Sequence, residues 1–140
     1  MQIHKRKTVC PLNLPIPPND ERSKELWLQH SAGFIIFQDM RNYAIDRIPL
    51  DTNEEIKQKI ISGIDDSIYG LMMIMDGVTG SLENDNYSVR LESKILLEKN
   101  NEVIMEINTL NGDGMCMGFH GWKDGDFGED EICSSSNNFT

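Results

Sequence analysis

The stretch TNEEIKQKIISGIDDSIYGLMMIMDG, residues 52–77, decides the fold of this chain. It opens with the pattern Thr-x-x-Glu, in which the side chains of Thr52 and Glu55 bond each other's free backbone N–H groups at a helix start. Apolar residues then recur at spacings of three and four, which is typical of one helix face. Gly77 suits the position just after a helix end. The stretch therefore predicts a core helix that Thr52 begins.

Two glycines lie within this predicted helix. Gly63 and Gly70 are seven residues apart, so they fall on nearly the same side of it. Because glycine has no side chain, another backbone can approach this side closely. The pattern favours ordinary helix packing within the fold.

Residues 20–48 show a second helical pattern. Asp20 is an acceptable N-cap residue, and Pro49 stops a helix that precedes it. Gly33 followed by the apolar residues 34–37 leaves a short helix and a strand as an alternative, since four apolar residues do not discriminate by periodicity alone. The three-four spacing of the later apolar residues favours a helix.

Further along the chain the apolar period changes to two. Residues 87–98 alternate between apolar and polar, as expected of a sheet with one wet face. Turn signals at residues 100–101 and 111–112 separate this strand from residues 102–110 and 115–119. We therefore expect an α+β fold, with two helical segments packed on an antiparallel β-meander of at least three strands.

The ends of the chain differ in composition from its middle. Residues 1–19 contain four prolines, which remove backbone donors and predict an extended arm. Residues 20–133 are predicted to form a single domain. Residues 134–140, rich in serine and asparagine, are predicted to be a flexible tail.

The composition excludes some classes of function. The chain has 140 residues, with 13 basic and 23 acidic residues and a net charge of -10, which opposes binding to nucleic-acid phosphates. The sequence shows neither an export pattern nor a long apolar run, so we expect a cytoplasmic protein with no membrane partner. Three scattered cysteines suit reduced thiols.

The acidic charge is concentrated in the second half of the chain. Residues 1–70 carry 9 basic and 10 acidic groups, whereas residues 71–140 carry 4 and 13. Carboxylates grouped near aromatic residues predict a docking surface for a basic protein partner, because grouped charges steer an oppositely charged partner. The predicted partner-binding residues are Trp122, Asp124, Asp126, Phe127, Glu129 and Asp130. The alternatives are a solvated tail and a Trp122 that covers the end of the core.

The same region begins like a calcium-binding loop at residues 124–126, but the pattern fails at positions 128, 129 and 135. Cysteine and histidine have no zinc-ligand spacing. The sequence therefore predicts no metal site and no cofactor.

Cys116 and His120 are the nearest candidates for a nucleophile and its base. On the predicted strand they share one side but stand roughly 13 Å apart, against about 3 Å for a working pair. Contact would require a turn at Gly118. We therefore predict no catalytic residue.

Three motifs carry a resemblance to a known group of proteins. Asp76-Gly77-Val78 at the helix end, His120-Gly121-Trp122 and Asp126-Phe127-Gly128 resemble small acidic bacterial proteins, some of the immunity-protein kind. The resemblance spans about residues 52–130. It implies a non-enzymatic protein that blocks a toxin, often a basic nuclease, by covering the toxin's positive surface with carboxylates.

Three functional hypotheses follow. The first is an acidic binding protein of the immunity type. The second is a small enzyme or ligand-binding domain at the glycine-rich end of the sheet, with Asp113, Cys116, His120 and Asp124 in one cleft. The third is a self-associating structural subunit that uses a sheet edge or the apolar residues 34–37.

Overall fold

A computed structural model describes residues 14–111 and 114–124. Its helices are α1 (Glu21–Ile45), α2 (Glu54–Met75) and α3 (Phe119–Lys123). Its strands are β1 (Ser81–Glu83), β2 (Ser88–Arg90), β3 (Lys94–Lys99) and β4 (Glu102–Asn108), and a short 3-10 turn, Thr109–Asn111, follows β4. The predicted α+β class is confirmed.

Helix α1 is the central element. At its start the Asp20 side chain accepts a hydrogen bond from the Ser23 backbone N–H at 2.9 Å, and this bond holds the pKa of Asp20 below its usual value. The helix continues through residues 34–37, so the helical interpretation of that segment is confirmed. Phe34 and Phe37 point into the core and are buried.

The apolar core has two clusters, and α1 contributes to both. The larger cluster brings together Phe34 and Phe37 of α1, Ile68 and Met72 of α2, and Phe119 and Trp122 of α3. The smaller cluster packs Trp27 and Leu28 of α1 on Leu97 of β3. Helix α1 therefore joins the other two helices to the β3–β4 sheet.

Helix α2 begins one residue later than predicted. Its N-cap is Asn53, whose side-chain oxygen accepts a hydrogen bond from the Ile56 backbone N–H at 2.9 Å. Thr52 instead donates its backbone N–H to the Pro49 carbonyl at 3.0 Å, within the preceding turn. The predicted cap at Thr52 is wrong, because the turn after Pro49 ends on that residue.

The end of α2 agrees with the prediction. Gly77 has a φ of +79°, a left-handed conformation that suits glycine. The N–H groups of Gly77 and Val78 donate to the carbonyls of Ile74 and Met73 at 3.1 and 3.0 Å, and they close the last turn. The chain then leaves the helix and enters β1.

The strands form two separate two-stranded antiparallel sheets, β1–β2 and β3–β4, in place of one meander. The predicted strand over residues 87–98 is broken between β2 and β3, and β1 was not predicted. The predicted turn at residues 100–101 is confirmed, since Asn100 and Asn101 have φ values of 52° and 68°.

The predicted third strand at residues 115–119 is wrong. The chain turns over residues 115–118, and α3 begins at Phe119. The backbone N–H groups of Gly114 and Met115 donate to side chains of Gln29 and Asp76, not to a neighbouring strand. A strand does not form here because those donors are already bonded elsewhere.

The 3-10 turn connects the β3–β4 sheet to the end of α2. The buried Thr109 hydroxyl donates to the Met75 carbonyl at 2.6 Å, and its oxygen lies 2.7 Å from the Ser93 hydroxyl. Of the predicted extended arm, residues 14–19 are described and contain no helix or strand. Within the described residues, neither long helix has the apolar length that crossing a membrane would need.

Candidate interaction surface

Two of the six predicted partner-binding residues, Trp122 and Asp124, lie within the residues that the structure describes. Trp122 is 3% exposed and packs its ring on Phe34 and Phe37 at centroid distances of 5.3 and 5.8 Å. This position agrees with the alternative in which Trp122 covers the end of the core. Asp124 is exposed at the end of α3. The remaining four, Asp126, Phe127, Glu129 and Asp130, lie outside the described residues.

The neighbour that acts on the candidate nucleophile Cys116 is the carboxylate of Asp76 and not the predicted base, His120. Burial, together with the nearby Asp76 carboxylate, raises the pKa of the Cys116 thiol. A raised pKa keeps the sulfur protonated, and a protonated thiol is a poor nucleophile.

The other members of the proposed cleft have different surroundings. The exposed His120 packs its ring on Tyr69 and Phe119 at 5.6 and 5.3 Å, Asp124 is exposed, and Asp113 lies outside the described residues. Within residues 14–111 and 114–124, no group of three or more potential ligands is placed to hold a metal ion.

Asp76 belongs to a junction that holds the chain before α3. Both carboxylate oxygens of Asp76 accept the Met115 N–H, at 2.9 and 3.1 Å, and Gln29 accepts the Gly114 N–H at 3.1 Å. A Cβ on Gly33 would lie 2.1 Å from the Met115 carbonyl oxygen. Residue 33 must therefore be glycine for α1 to approach this segment, and the junction has a structural role.

The β1–β2 hairpin presents an apolar surface that the described chain leaves uncovered. Leu82 and Val89 are cross-strand partners, so they lie on the same side of the hairpin. Tyr87 and Leu91 directly precede and follow β2, two residues from Val89 in each direction. We call these four residues the hairpin face, and they are 60% to 77% exposed.

The loop between the two strands fixes the shape of the hairpin. The side-chain oxygen of Asn84 accepts the backbone N–H groups of Asn86 and Tyr87 at 3.0 and 2.9 Å. The Asn84 N–H donates to the Tyr87 carbonyl at 2.8 Å. These bonds compensate for the low stability of a sheet with only two strands.

Carboxylates lie close to the hairpin face along the chain. Within and beside the hairpin, Glu83, Asp85 and Glu92 are acidic and exposed, and the single basic residue, Arg90, already lies 3.6 Å from Glu92. The described residues include 18 acidic and 10 basic ones, and six of those ten basic side chains form ion pairs with neighbouring carboxylates. The surface therefore retains a surplus of negative charge.

The sequence alone did not indicate this surface, because β1 was not predicted. The alternation at residues 87–91 is real, but it does not say whether the apolar side faces a core or solvent. The paired strand β1 has only one large apolar residue, Leu82, and is three residues long. Such a strand cannot cover a second layer, so the apolar side of the hairpin stays exposed.

Comparison of the chain with protein-family models, with curated proteins and with solved structures gives no match.

Proposed function

We propose that this chain is a non-enzymatic acidic binding protein that occludes a basic partner protein, in the manner of an immunity protein. The hairpin face carries the proposal: four large apolar side chains are exposed on one short hairpin, and the exposed carboxylates of Glu83, Asp85 and Glu92 are close to them in the chain. Exposed apolar patches of this kind mark interaction sites in proteins. The proposed setting is the cytoplasm, and neither nucleic acid nor membrane is a proposed partner.

The two kinds of side chain have different parts in the proposed mechanism. The carboxylates of Glu83, Asp85 and Glu92 attract a basic surface over several ångströms and raise the rate of encounter. Tyr87, Leu82 and Val89 then lose their contact with water, and this burial holds the complex together. The partner is inhibited because its positive surface is covered.

The acidic C-terminal segment extends this proposal. Asp124 is exposed in the structure, and Asp126, Glu129 and Asp130 would add negative charge toward the same partner. The environment of Cys116 counts against this residue as a nucleophile, since its raised thiol pKa disfavours nucleophilic attack.

The test begins with the reading frames that flank the gene for this chain. Any basic product is expressed separately and titrated with the full chain by isothermal calorimetry. We expect binding, and we expect its loss in the L82S/V89S variant, with an unchanged circular dichroism spectrum because both side chains are exposed. V103S is the matched control, since Val103 is an exposed valine on the other hairpin.

Two results would contradict the proposal. One is binding that the hairpin substitutions leave unchanged while V103S abolishes it. The other is a partner whose affinity ignores added salt and survives charge reversal at Asp124, Asp126 and Asp130. Either result would remove the carboxylate-lined hairpin as the recognition surface.

A further inference from the structure

A second uncovered surface runs along α2. Ile56, Ile60, Gly63, Ser67 and Gly70 follow one another at spacings of four, three, four and three, so they lie on one side of the helix. Ile56 and Ile60 are 49% and 37% exposed. We call these five residues the α2 stripe.

The two glycines of the stripe face open space. A Cβ built on Gly63 or Gly70 would meet no other part of the described chain within 4 Å. The prediction that these glycines serve ordinary packing within the fold is therefore not confirmed in the described residues. Their missing side chains leave two hollows at the surface.

An apolar groove lies beside the stripe. Met40 and Ala44 of α1 form one wall, and Ile60, Gly63 and Ile64 form much of the other, around a volume of about 520 Å³. The stripe and the groove together make an unpartnered helical surface with protruding isoleucines at one end and hollows at the other.

We infer that this surface binds a second copy of the same chain, with the two α2 helices antiparallel about a two-fold axis beside Gly63. This axis places Ile56 of each copy opposite Gly70 of the other. It also places Ile60 opposite Ser67, to within one residue. Large side chains therefore meet small ones twice, which is the self-complementarity that a two-fold interface requires.

The charges next to the stripe suit the same arrangement. Lys59 and Asp66 border the stripe on the same side, because they are seven residues apart on the helix. The axis beside Gly63 places Lys59 of each copy within one residue of Asp66 of the other, which allows two ion pairs across the interface in place of the exposed Lys59–Glu55 pair at 3.5 Å. A parallel arrangement would place like charges together instead.

The test measures the mass of the full chain by sedimentation equilibrium over a wide range of concentration. We expect a species of twice the 16.0 kDa chain mass. I60E should remain monomeric with an unchanged circular dichroism spectrum, because Ile60 is partly exposed. I35E is the matched control and should still dimerise, since Ile35 is an exposed isoleucine of α1 away from the groove.

A charge exchange tests the antiparallel arrangement itself. K59E and D66K should each raise the dissociation constant by at least about tenfold, and K59E/D66K should restore it, because the double variant again pairs opposite charges. A monomeric wild-type chain at every concentration would overturn the inference. A dimer that tolerates I60E, or that the double exchange does not restore, would overturn it too. The L82S/V89S variant should dimerise normally, which separates this inference from the proposed function.

Discussion

At the scale of single residues, Asn53 and not Thr52 begins α2. Asn53 accepts the Ile56 N–H, whereas Thr52 belongs to the turn after Pro49. We expect N53A to lower the free energy of unfolding by about 1 kcal/mol, the usual effect of losing a cap side chain. T52A should lower it by less than half as much. Urea unfolding of both variants tests this. A larger loss of unfolding free energy in T52A than in N53A would show that Thr52 is the cap residue.

Gly33 and Gly63 are both helical glycines, but their substitution should have opposite effects. In G33A the new Cβ would clash with the Met115 carbonyl oxygen, so we expect a loss of about 1 to 3 kcal/mol in unfolding free energy. In G63A the new methyl group meets open space, so we expect a gain of about 0.5 to 1 kcal/mol. Chemical unfolding in the I60E background measures both without interference from association. A destabilising G63A would contradict this description of the α2 stripe.

The Cys116 thiol should make stability depend on pH in the alkaline range. Its pKa is raised in the folded chain by burial and by Asp76, above the ordinary value of 9.0. Below pH 9 both states hold the proton, whereas above it the unfolded state loses the proton first, so stability falls as the pH rises toward the folded pKa. We expect wild type to lose more stability than C116S between neutral and alkaline pH. Equal losses in urea unfolding would contradict the raised pKa.

At the scale of secondary-structure elements, one buried ion pair joins α1 to α2. The Arg41 guanidinium lies 2.7 Å from the Asp65 carboxylate, whose side chain is 4% exposed. R41M would leave that carboxylate buried without a partner, so we expect a loss of about 3 kcal/mol, and R41M/D65N should recover most of it. K94M is the control: its pair with Glu106 is exposed and should contribute less than about 1 kcal/mol. Thermal unfolding that shows equal losses for R41M and K94M would contradict this.

The two long helices were predictable from the sequence, whereas α3 and the arrangement of the strands were not. A three-four spacing repeated over twenty or more residues predicts a helix without knowledge of the rest of the fold, as α2 shows, whereas the shorter run of this spacing in α1 left a strand at residues 34–37 as an alternative. The turn before α3 depends on Gln29 and Asp76, which are 85 and 39 residues from their backbone partners. Hydrogen bonds across such separations leave no local pattern, so the third strand was predicted in error.

At the scale of the whole molecule, the surplus of negative charge should control association with a basic partner. The screening length is about 8 Å at physiological ionic strength, so exposed carboxylates act at long range only when salt is low. We expect the association rate to fall about tenfold or more as salt is raised, with a smaller change in the dissociation rate. Stopped-flow measurement tests this, with E83K/D85K/E92K expected to weaken the salt dependence, because the variant keeps a net charge of about -4. A rate that is insensitive to salt would contradict electrostatic steering.

The location of the charge was predictable at this scale, but the apolar surface was not. Counting charged residues is enough to assign the acidic surplus to the second half of the chain. Tyr87, Val89 and Leu91 looked like the inner side of a sheet, since alternation alone does not identify which side is covered. Only the pairing of β2 with the short β1 reveals that this side is open.

From the junction at Met115 we also expect an order of events during folding. Helix α3 has five residues, too few to persist alone, so it depends on the surfaces that receive Phe119 and Trp122. Those surfaces exist only after α1 and α2 have met and their Gln29 and Asp76 side chains have captured the preceding backbone. We therefore expect the last helix to be the final part of the core to assemble.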